Sequence, residues 1–260
     1  MGDVNYRPLI DDMVFSYSRI KSYVQCPYGW KLNYLDGFSK EKKFYTTYGS
    51  LMHKVLEKFF AGKISQKEMK LEFLTRFSDE VKGKRPSANV VSSYIASSLE
   101  YFDSFEDFDL KTLAVEKRVT FNIEGIPMTG TIDLIGEHDG DIYIIDHKSH
   151  ELKPRSGRVK PTIKDQELDE YLIQLYLYST AIYDMYGKYP KELWFNCFRF
   201  GRVIKEPFSI DKYNQAVKWV VDTVEKIKED SDFLDNYDYF YCRWICDQAH
   251  NCEVYEEEVM

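Results

Sequence analysis

The 260-residue chain lacks two features that would assign it to a membrane or to the secretory route. No apolar run approaches the roughly 20 residues of a membrane-spanning helix. The first residues, MGDVNYRPLIDD, show no signal-peptide pattern. We therefore expect a cytoplasmic protein, in a cell or in an infected host, with no membrane partner.

The chain also has little positive charge and few cysteines. Lysine and arginine number 35 against 43 aspartates and glutamates, and the net charge is −8. This balance excludes nucleic-acid binding by bulk electrostatics, so any such binding needs a local basic surface and a bound metal. Five cysteines without a secretory signal argue against a disulfide framework, and a cluster among them would indicate a metal centre.

The length allows a sizeable core, and neither a linker nor a break in composition divides the chain. We expect one domain over residues 1–260. It would comprise a mainly helical part (1–107), a catalytic sheet core (108–210) and a C-terminal helix with a cysteine-rich tail (211–260). The predicted fold class is α/β, a central mixed sheet with helices on both sides.

Capping residues and apolar periodicity predict the helices and strands. The first helix begins at Ser16 or Ser18 and ends at Cys26-Pro27, because proline cannot continue it. Further helices are predicted at 29–35, 48–61, 65–82, 90–106, 167–187 and 211–229, and two late strands at ELWFNCFRF and VIKEPFS. Residues 150–165 show no apolar period.

Three predicted strands between Glu116 and Lys148 carry most of the candidate chemistry. Asp139-Gly140 is a strong hairpin signal between the second and third strands. Asp133 is expected near the end of the second strand. Asp146 and Lys148 end the third and, being two residues apart, share a face.

Two carboxylates close to a lysine are the smallest set of side chains expected to hydrolyse a phosphodiester with a bound divalent cation. Oxygen ligands of this kind suit a hard cation, Mg²⁺ or Mn²⁺. The alternative is a hairpin whose acidic side chains face water. The run Tyr143-Ile144-Ile145 favours the metal site, because it predicts a strand buried on both faces, and a carboxylate at the end of such a strand needs a partner.

Five motifs in order resemble the RecB-like branch of the PD-(D/E)XK nuclease superfamily. They are the N-terminal SYSRIKSYVQCP, Gly49-Ser-Leu-Met-His53, Gly130-Thr-Ile-Asp133, Asp146-His-Lys148 and Gln174-Leu-Tyr-Leu-Tyr178. A cysteine-rich C-terminus adds to them, so the resemblance spans about residues 16 to 252. It implies a restriction-endonuclease-like sheet.

The resemblance implies a metal site built from three of these motifs. Asp133 and Asp146 would share a metal ion, with the carbonyl of His147 and the imidazole of His53 as further ligands. A histidine ligand suits Mn²⁺ better than Mg²⁺. Taken alone, His53 is more often an ordinary histidine at a helix border, but its place after Gly49 at the family spacing favours the ligand.

Four more residues have implied catalytic roles. Lys148 would orient or activate the attacking water and stabilise the phosphate charge, a role that suits an ammonium of lowered pKa. Gln174 and Tyr178, one helical turn apart, would contact the phosphate or orient Lys148. Glu116 would hold a second ion or a water, or else be a surface residue beside two basic neighbours.

By the same resemblance, four cysteines would bind a [4Fe-4S] cluster that fastens the N-terminal helix to the C-terminal tail: Cys26, Cys242, Cys246 and Cys252. Relatives usually have two residues between the first two of the C-terminal trio, and this chain has three. Two alternatives stay open, a zinc site of three cysteines with His250, and free thiols. Cys197, in a predicted strand, is expected to be an inert core thiol.

A basic segment directly follows Lys148, where a DNA strand would pass the predicted site. Its cations are Lys153, Arg155, Arg158, Lys160 and Lys164. We expect a loop that contacts DNA. The alternative is a solvated, disordered loop.

The resulting hypothesis is a metal-dependent DNA nuclease of a bacterial, archaeal or phage-infected cell, acting as an exonuclease on single-stranded or end-bearing DNA. The chain most resembles CRISPR-adaptation exonucleases and phage recombination exonucleases. It has no P-loop, so unwinding would need a helicase partner, and a recombinase or a CRISPR-adaptation protein is another expected partner. The alternatives are a structure-specific endonuclease and a non-catalytic DNA-binding or assembly subunit with the same fold.

Overall fold

The computed structural model describes residues 5–255. Within that range the helices are α1 Arg7–Asp11, α2 Tyr17–Gln25, α3 Pro27–Tyr34, α4 Phe44–Phe60, α5 Gln66–Glu80, α6 Ala88–Ser104, α7 Ile163–Tyr186, α8 Ile210–Glu229 and α9 Tyr239–Trp244. The strands are β1 Lys111–Ile123, β2 Ile126–His138, β3 Asp141–Lys148, β4 Glu192–Cys197 and β5 Arg202–Pro207. No helix in this range is long and apolar enough to cross a membrane.

The strands form one mixed sheet in the order β1-β2-β3-β4-β5. Only β3 and β4 are parallel, and α7 connects them as the crossover helix. The predicted fold class, a central mixed sheet flanked by helices, is therefore confirmed.

Local sequence signals explain several boundaries. The side chain of Ser16 accepts a hydrogen bond from the Arg19 N–H and caps α2, as predicted. Asp139 and Gly140 both have positive φ, at 52° and 81°, the two left-handed residues that a two-residue hairpin turn requires. Gly187 has a left-handed backbone and ends α7 where the sequence predicts.

Several boundaries differ from the prediction. Helix α4 begins at Phe44, four residues before Tyr48, and α7 begins at Ile163 instead of residue 167. Thr162 and Asp165 form a capping box that starts α7 inside the segment predicted to be irregular. The strand predicted at ELWFNCFRF ends at Cys197, and its last three residues form a 3-10 helix. The short helix α1 was not predicted.

Helices cover both faces of the sheet. Ile142 and Ile144 of β3 belong to the large core cluster that also contains Leu172 and Leu175 of α7. On the opposite face, Ile145 packs with Trp194 near the end of α4. Because side chains alternate along a strand, residues 146 and 148 continue the face that is turned toward α7.

Candidate active site

A fork between β2 and β3 creates the site. β2 pairs with β1 along nearly its whole length, but it pairs with β3 only from Leu134 to His138. Asp133 is the residue at which the two strands separate, so it lies mid-strand and not near a strand end as predicted. β3 continues along β4 as far as Lys148. On this edge the backbone groups of β3 after Ile145 do not pair with β2, so they can form hydrogen bonds with side chains.

The backbone of His147 uses both of its polar groups at this fork. Its N–H donates to Asp133 Oδ2 at 2.7 Å, and its carbonyl oxygen lies 3.0 Å from His53 Nε2. Burial alone would raise the pKa of Asp133, but His53 and the His147 N–H outweigh it and hold that pKa below its ordinary value. Asp133 is thus a buried carboxylate kept in its charged form.

Three side chains form a cluster that we call the metal-binding group: His53, Glu116 and Asp133. Their ligand atoms all lie within 4.8 Å of one another. Within residues 5–255 no other group of three or more histidines, cysteines and carboxylates meets this distance. His53 Nδ1 is 3.4 Å from Asp133 Oδ2 and 3.7 Å from Glu116 Oε1. Burial opposes a charged imidazole, but the two carboxylates outweigh it and raise the pKa of His53 to about 10. In the absence of metal a proton on His53 balances these acids. The donor set, two carboxylates and an imidazole, fits Mn²⁺ or Mg²⁺.

Glu116 reaches this group through an unusual backbone conformation. It has φ of 46°, and it falls out of the β1–β2 pairing between Val115 and Lys117. A left-handed conformation is costly for a residue with a side chain and is found mostly where surrounding structure imposes it. In this conformation the carboxylate of Glu116 lies beside His53 and Asp133. The sequence had left Glu116 as either a ligand or a surface residue.

Asp146 and Lys148 form the second half of the site. Lys148 Nζ lies 2.7 Å from Asp146 Oδ2 and donates to Gln174 Oε1 at 3.0 Å. Gln174 Nε2 in turn donates to Tyr178 Oη at 3.2 Å. The structure therefore brings Gln174 and Tyr178 to Lys148, on the face that the two-residue spacing indicates.

One expectation about this half needs correction. The pKa of Lys148 was expected to be lowered; burial does favour the neutral amine, but the Asp146 carboxylate outweighs it and the pKa is raised. That Asp146 shares a metal with Asp133 stays a prediction; in the structure its carboxylate contacts Lys148 and is not part of the His53, Glu116 and Asp133 group. Burial raises the pKa of Asp146, against the effect of Lys148.

The imidazole of His147 is not part of the group formed by His53, Glu116 and Asp133, although its ring centroid lies 5.7 Å from that of His53. It stacks on Phe60, and its Nδ1 lies 3.0 Å from Asn196 Nδ2. Burial lowers the pKa of His147 to about 3, so the ring is neutral. Asn196 was missed by the sequence analysis, since nothing but the parallel pairing of β3 with β4 brings it opposite His147.

The four predicted cluster cysteines converge from α2, α9 and the tail. A Cβ on Gly29 would lie 3.6 Å from Cys26 Sγ and 3.9 Å from Cys246 Sγ. Burial raises the pKa of Cys242, and the neighbouring Cys26 and Cys252 add to that rise. Cys197 is fully buried in β4, away from this set.

Hydrogen bonds also join the N-terminal part of the chain to the C-terminal tail. The Glu41 N–H donates to the Asp247 carbonyl, Gln248 Nε2 donates to Asn33 Oδ1, and Asn251 Nδ2 donates to the Ser39 carbonyl. A bound cluster would reinforce a junction that hydrogen bonds already hold.

The basic segment is anchored and only partly free. The guanidinium of Arg155 forms ion pairs with Glu206 at 2.6 Å and Asp169 at 2.5 Å. Two further cations of the set, Lys153 and Lys164, pair with Glu151 and Glu167. The exposed Arg158 and Lys160 form no ion pair within residues 5–255.

Asp165 fixes this segment to the start of α7. Its carboxylate accepts from the backbone and side chain of both Ser156 and Thr162, at 2.7–2.8 Å. These hydrogen bonds hold the pKa of Asp165 far below its ordinary value. The segment is therefore an ordered loop.

One comparison with a solved structure supports the overall fold. A structure from Eubacterium rectale described as a "Putative exonuclease" is similar to the chain, with a TM-score of 0.56 at 14% identity, over 98% of this chain and 94% of that one. The structure of SSO0001 matches at 14% identity over 92% of this chain and 96% of that one, but its TM-score of 0.30 supports no structural argument. No curated protein matches in sequence.

The family comparison covers nearly all of the chain. The sequence model of the PD-(D/E)XK nuclease superfamily matches residues 14–253, a range that includes the fork, the helices on both sides of it and all four clustered cysteines. The chain belongs to the PD-(D/E)XK nuclease superfamily.

Proposed function

We propose that this nuclease is a metal-dependent exonuclease acting on single-stranded or end-bearing DNA, with residues 1–260 working as one nuclease domain. One observation carries the proposal. The carboxylates of Asp133 and Glu116 meet His53 and the His147 carbonyl at the fork, directly beside a buried, charged Lys148. The exonuclease described from Eubacterium rectale is consistent with it, at the level of the fold.

A Mg²⁺ or Mn²⁺ ion would be held by Asp133, Glu116, His53 and the His147 carbonyl. Asp146 would supply a further carboxylate between this ion and Lys148. The ion would supply Lewis-acid polarisation of the scissile phosphate and a more acidic bound water. His53 and the His147 N–H together hold the pKa of Asp133 low, and the N–H fixes the position of its carboxylate.

Lys148 acts as a fixed positive charge in this proposal. Its raised pKa keeps it protonated at neutral pH, so it would orient the attacking water and stabilise charge on the phosphate, and would not accept a proton. Asp146 and Gln174 hold its Nζ from two sides, and Tyr178 holds Gln174. This chain of contacts preorganises the ammonium before substrate binds.

We also propose a [4Fe-4S] cluster on Cys26, Cys242, Cys246 and Cys252. Sulfurs around a single tetrahedral zinc lie about 3.8 Å apart, given Zn–S bonds of about 2.3 Å. In the described part of the chain no three of the cysteine sulfurs approach within 4.8 Å, nor does His250 join two of them. This wider spacing favours the larger cluster over zinc. Cluster iron after anaerobic purification, lost in Cys246→Ser, supports it, and stoichiometric zinc contradicts it.

End-labelled linear DNA incubated with Mn²⁺ or Mg²⁺ tests the nuclease. We expect progressive shortening by the wild-type protein and none by Asp146→Ala. Asp141→Ala is the matched control, because Asp141 is a carboxylate at the far end of the same strand, paired with Lys191 on the surface. Cleavage that survives Asp146→Ala refutes the mechanism.

Circular single-stranded DNA separates the alternatives. An exonuclease leaves the circle intact. A structure-specific endonuclease instead cuts internally in substrates that carry branches or flaps. Binding of DNA without cleavage of any substrate would identify a non-catalytic subunit. A helicase, recombinase or CRISPR-adaptation partner would then be sought by co-purification.

A further inference from the structure

A groove extends from the metal-binding group along one face of α4. Tyr45, Gly49 and His53 follow one another at four-residue intervals and line the same cavity of about 700 Å³, together with Ser149 and Ile245. Since a helix rises about 1.5 Å per residue, Tyr45 lies roughly 12 Å along the axis from His53. The groove therefore leads about two nucleotides away from the site.

Gly49 keeps this groove open. A Cβ built on Gly49 would meet no atom within 4 Å, and its φ is an ordinary helical one. Glycine weakens a helix interior, so neither packing nor backbone conformation accounts for it here. Its lack of a side chain leaves room beside His53 for a bound chain.

Beyond Tyr45 the groove meets a surface that we call the aromatic strip, formed by Tyr45, Tyr94, Arg199, Phe240, Arg243 and Trp244. The ring of Tyr45 lies 5.5 Å from that of Tyr94, 6.3 Å from Phe240 and 6.2 Å from Trp244. Helices α4, α6 and α9 contribute these rings, so residues far apart in sequence form one continuous surface. Phe240 is 57% exposed although large and apolar.

Two arginines give the aromatic strip a positive charge. Arg199 lies over the Tyr94 ring at 3.5 Å, and Arg243 lies over the Trp244 ring at 5.3 Å. Within residues 5–255 no carboxylate oxygen comes within 4 Å of either guanidinium. In a chain of net charge −8, two arginines without an acidic partner among residues 5–255 are suited to an external anion.

Arg199 also connects the aromatic strip to the catalytic strand. Its Nη1 donates to the carbonyl of Ser149, the residue after Lys148, at 3.3 Å. The guanidinium of Arg199 therefore lies between the aromatic strip and the strand that carries Asp146 and Lys148.

We propose that the aromatic strip binds unpaired nucleotides of a single DNA strand whose scissile phosphate lies at the metal-binding group. The exposed ring of Phe240 and the partly exposed rings beside it would stack on bases, and the arginines would contact phosphates. Such a combination accepts any base sequence. A duplex hides its base faces, so the strip favours single strands over blunt duplex. The proposal rests on the proposed nuclease function and specifies its substrate.

Fluorescence anisotropy with labelled 20-residue oligothymidylate, without added divalent cation, tests the aromatic strip directly. Phe240→Ala and Arg243→Gln should each weaken binding by about fivefold or more, in line with the loss of one stacking or phosphate contact. Tyr186→Ala is the control, because Tyr186 is an exposed aromatic residue at the far end of α7. Unchanged affinity in both strip variants overturns the proposal, as does an equal loss on blunt duplex.

Kinetics separate this proposal from the proposed function. In Phe240→Ala, KM for the 20-residue strand should rise about as much as Kd, while hydrolysis of thymidine 5′-(p-nitrophenyl phosphate), too short to reach the strip, should be unchanged. Cleavage of the strand with an unaltered KM contradicts DNA binding by the aromatic strip but leaves the proposed nuclease function standing. Binding that depends on the aromatic strip, with no cleavage of any DNA, supports the strip and contradicts the proposed nuclease function.

Discussion

The ring of Tyr178 occupies the space that a side chain at Gly130 would need, because a Cβ on Gly130 would lie 2.4 Å from Tyr178 Cε1. Two of the sequence motifs, one on β2 and one on α7, are therefore in direct contact. Through Gln174 this contact sets the position of the Lys148 ammonium.

Gly130→Ala should displace Tyr178 and disturb the position of the Lys148 ammonium. We expect a stability loss of about 1–3 kcal/mol from overpacking and at least a tenfold fall in kcat. Tyr178→Ala removes the ring, so the double variant should be more stable than the sum of the two single losses predicts. Urea denaturation of all four proteins measures this coupling, and strictly additive losses would contradict the contact.

Removing the lysine should expose the cost of an unpaired buried carboxylate. Lys148→Met leaves Asp146 without its partner, and we expect a loss of about 3–5 kcal/mol in the free energy of unfolding. Asp146→Asn combined with Lys148→Met should recover most of that stability and none of the DNA cleavage. If cleavage returned with stability, the pair would be structural and not catalytic.

Glu116→Gly separates backbone strain from ligand function. Glycine adopts φ of 46° without penalty, so we expect unchanged stability or a gain of up to about 1 kcal/mol, together with weaker Mn²⁺ binding and slower cleavage. Glu124→Gly is the control, because Glu124 has φ of 48° in an exposed turn. That variant should keep full activity. Normal activity in Glu116→Gly would remove Glu116 from the site.

Local signals predicted those parts of the fold that depend on neighbouring residues. Ser16, Cys26-Pro27 and Asp139-Gly140 each act within a few residues, and the structure has the boundaries and turn that they predict. Periodicity likewise placed Asp146 and Lys148 on one face. These features need no knowledge of tertiary packing.

The remaining features depend on contacts between distant segments. The fork at Asp133 arises because β3 leaves β2 to follow β4, and no local pattern marks that point. The raised pKa of Lys148 reflects its orientation toward Asp146. Arg155 looked free for DNA, but its partners Glu206 and Asp169 lie in β5 and α7.

Without metal, the stability of the protein should fall as pH rises above about 6.5. Burial disfavours a charged His53, but Asp133 and Glu116 outweigh it and raise the pKa from 6.5 to about 10. The folded state therefore holds this proton more tightly than the unfolded state. The stabilisation is complete below pH 6.5 and is lost as pH rises through about 10.

Urea denaturation from pH 6.5 to 10 in chelator measures this effect. His53→Asn lacks the titrating group, so its stability should fall less steeply with pH than that of the wild type. Parallel curves for the two proteins would show that His53 is not protonated against the carboxylates.

The basic segment should divide into residues that bind DNA and residues that hold the loop. Arg158 and Lys160 are exposed without ion pairs in the described part of the chain, so each alanine variant should reduce the slope of log K against log salt by about 0.7 for single strands. Arg155 already pairs with Glu206 and Asp169, and its guanidinium is only partly exposed. Arg155→Ala should therefore leave the salt slope unchanged and make the loop more sensitive to limited proteolysis. Titration of labelled oligothymidylate at several salt concentrations measures the slopes, and a reduced slope in Arg155→Ala alone would reverse this division.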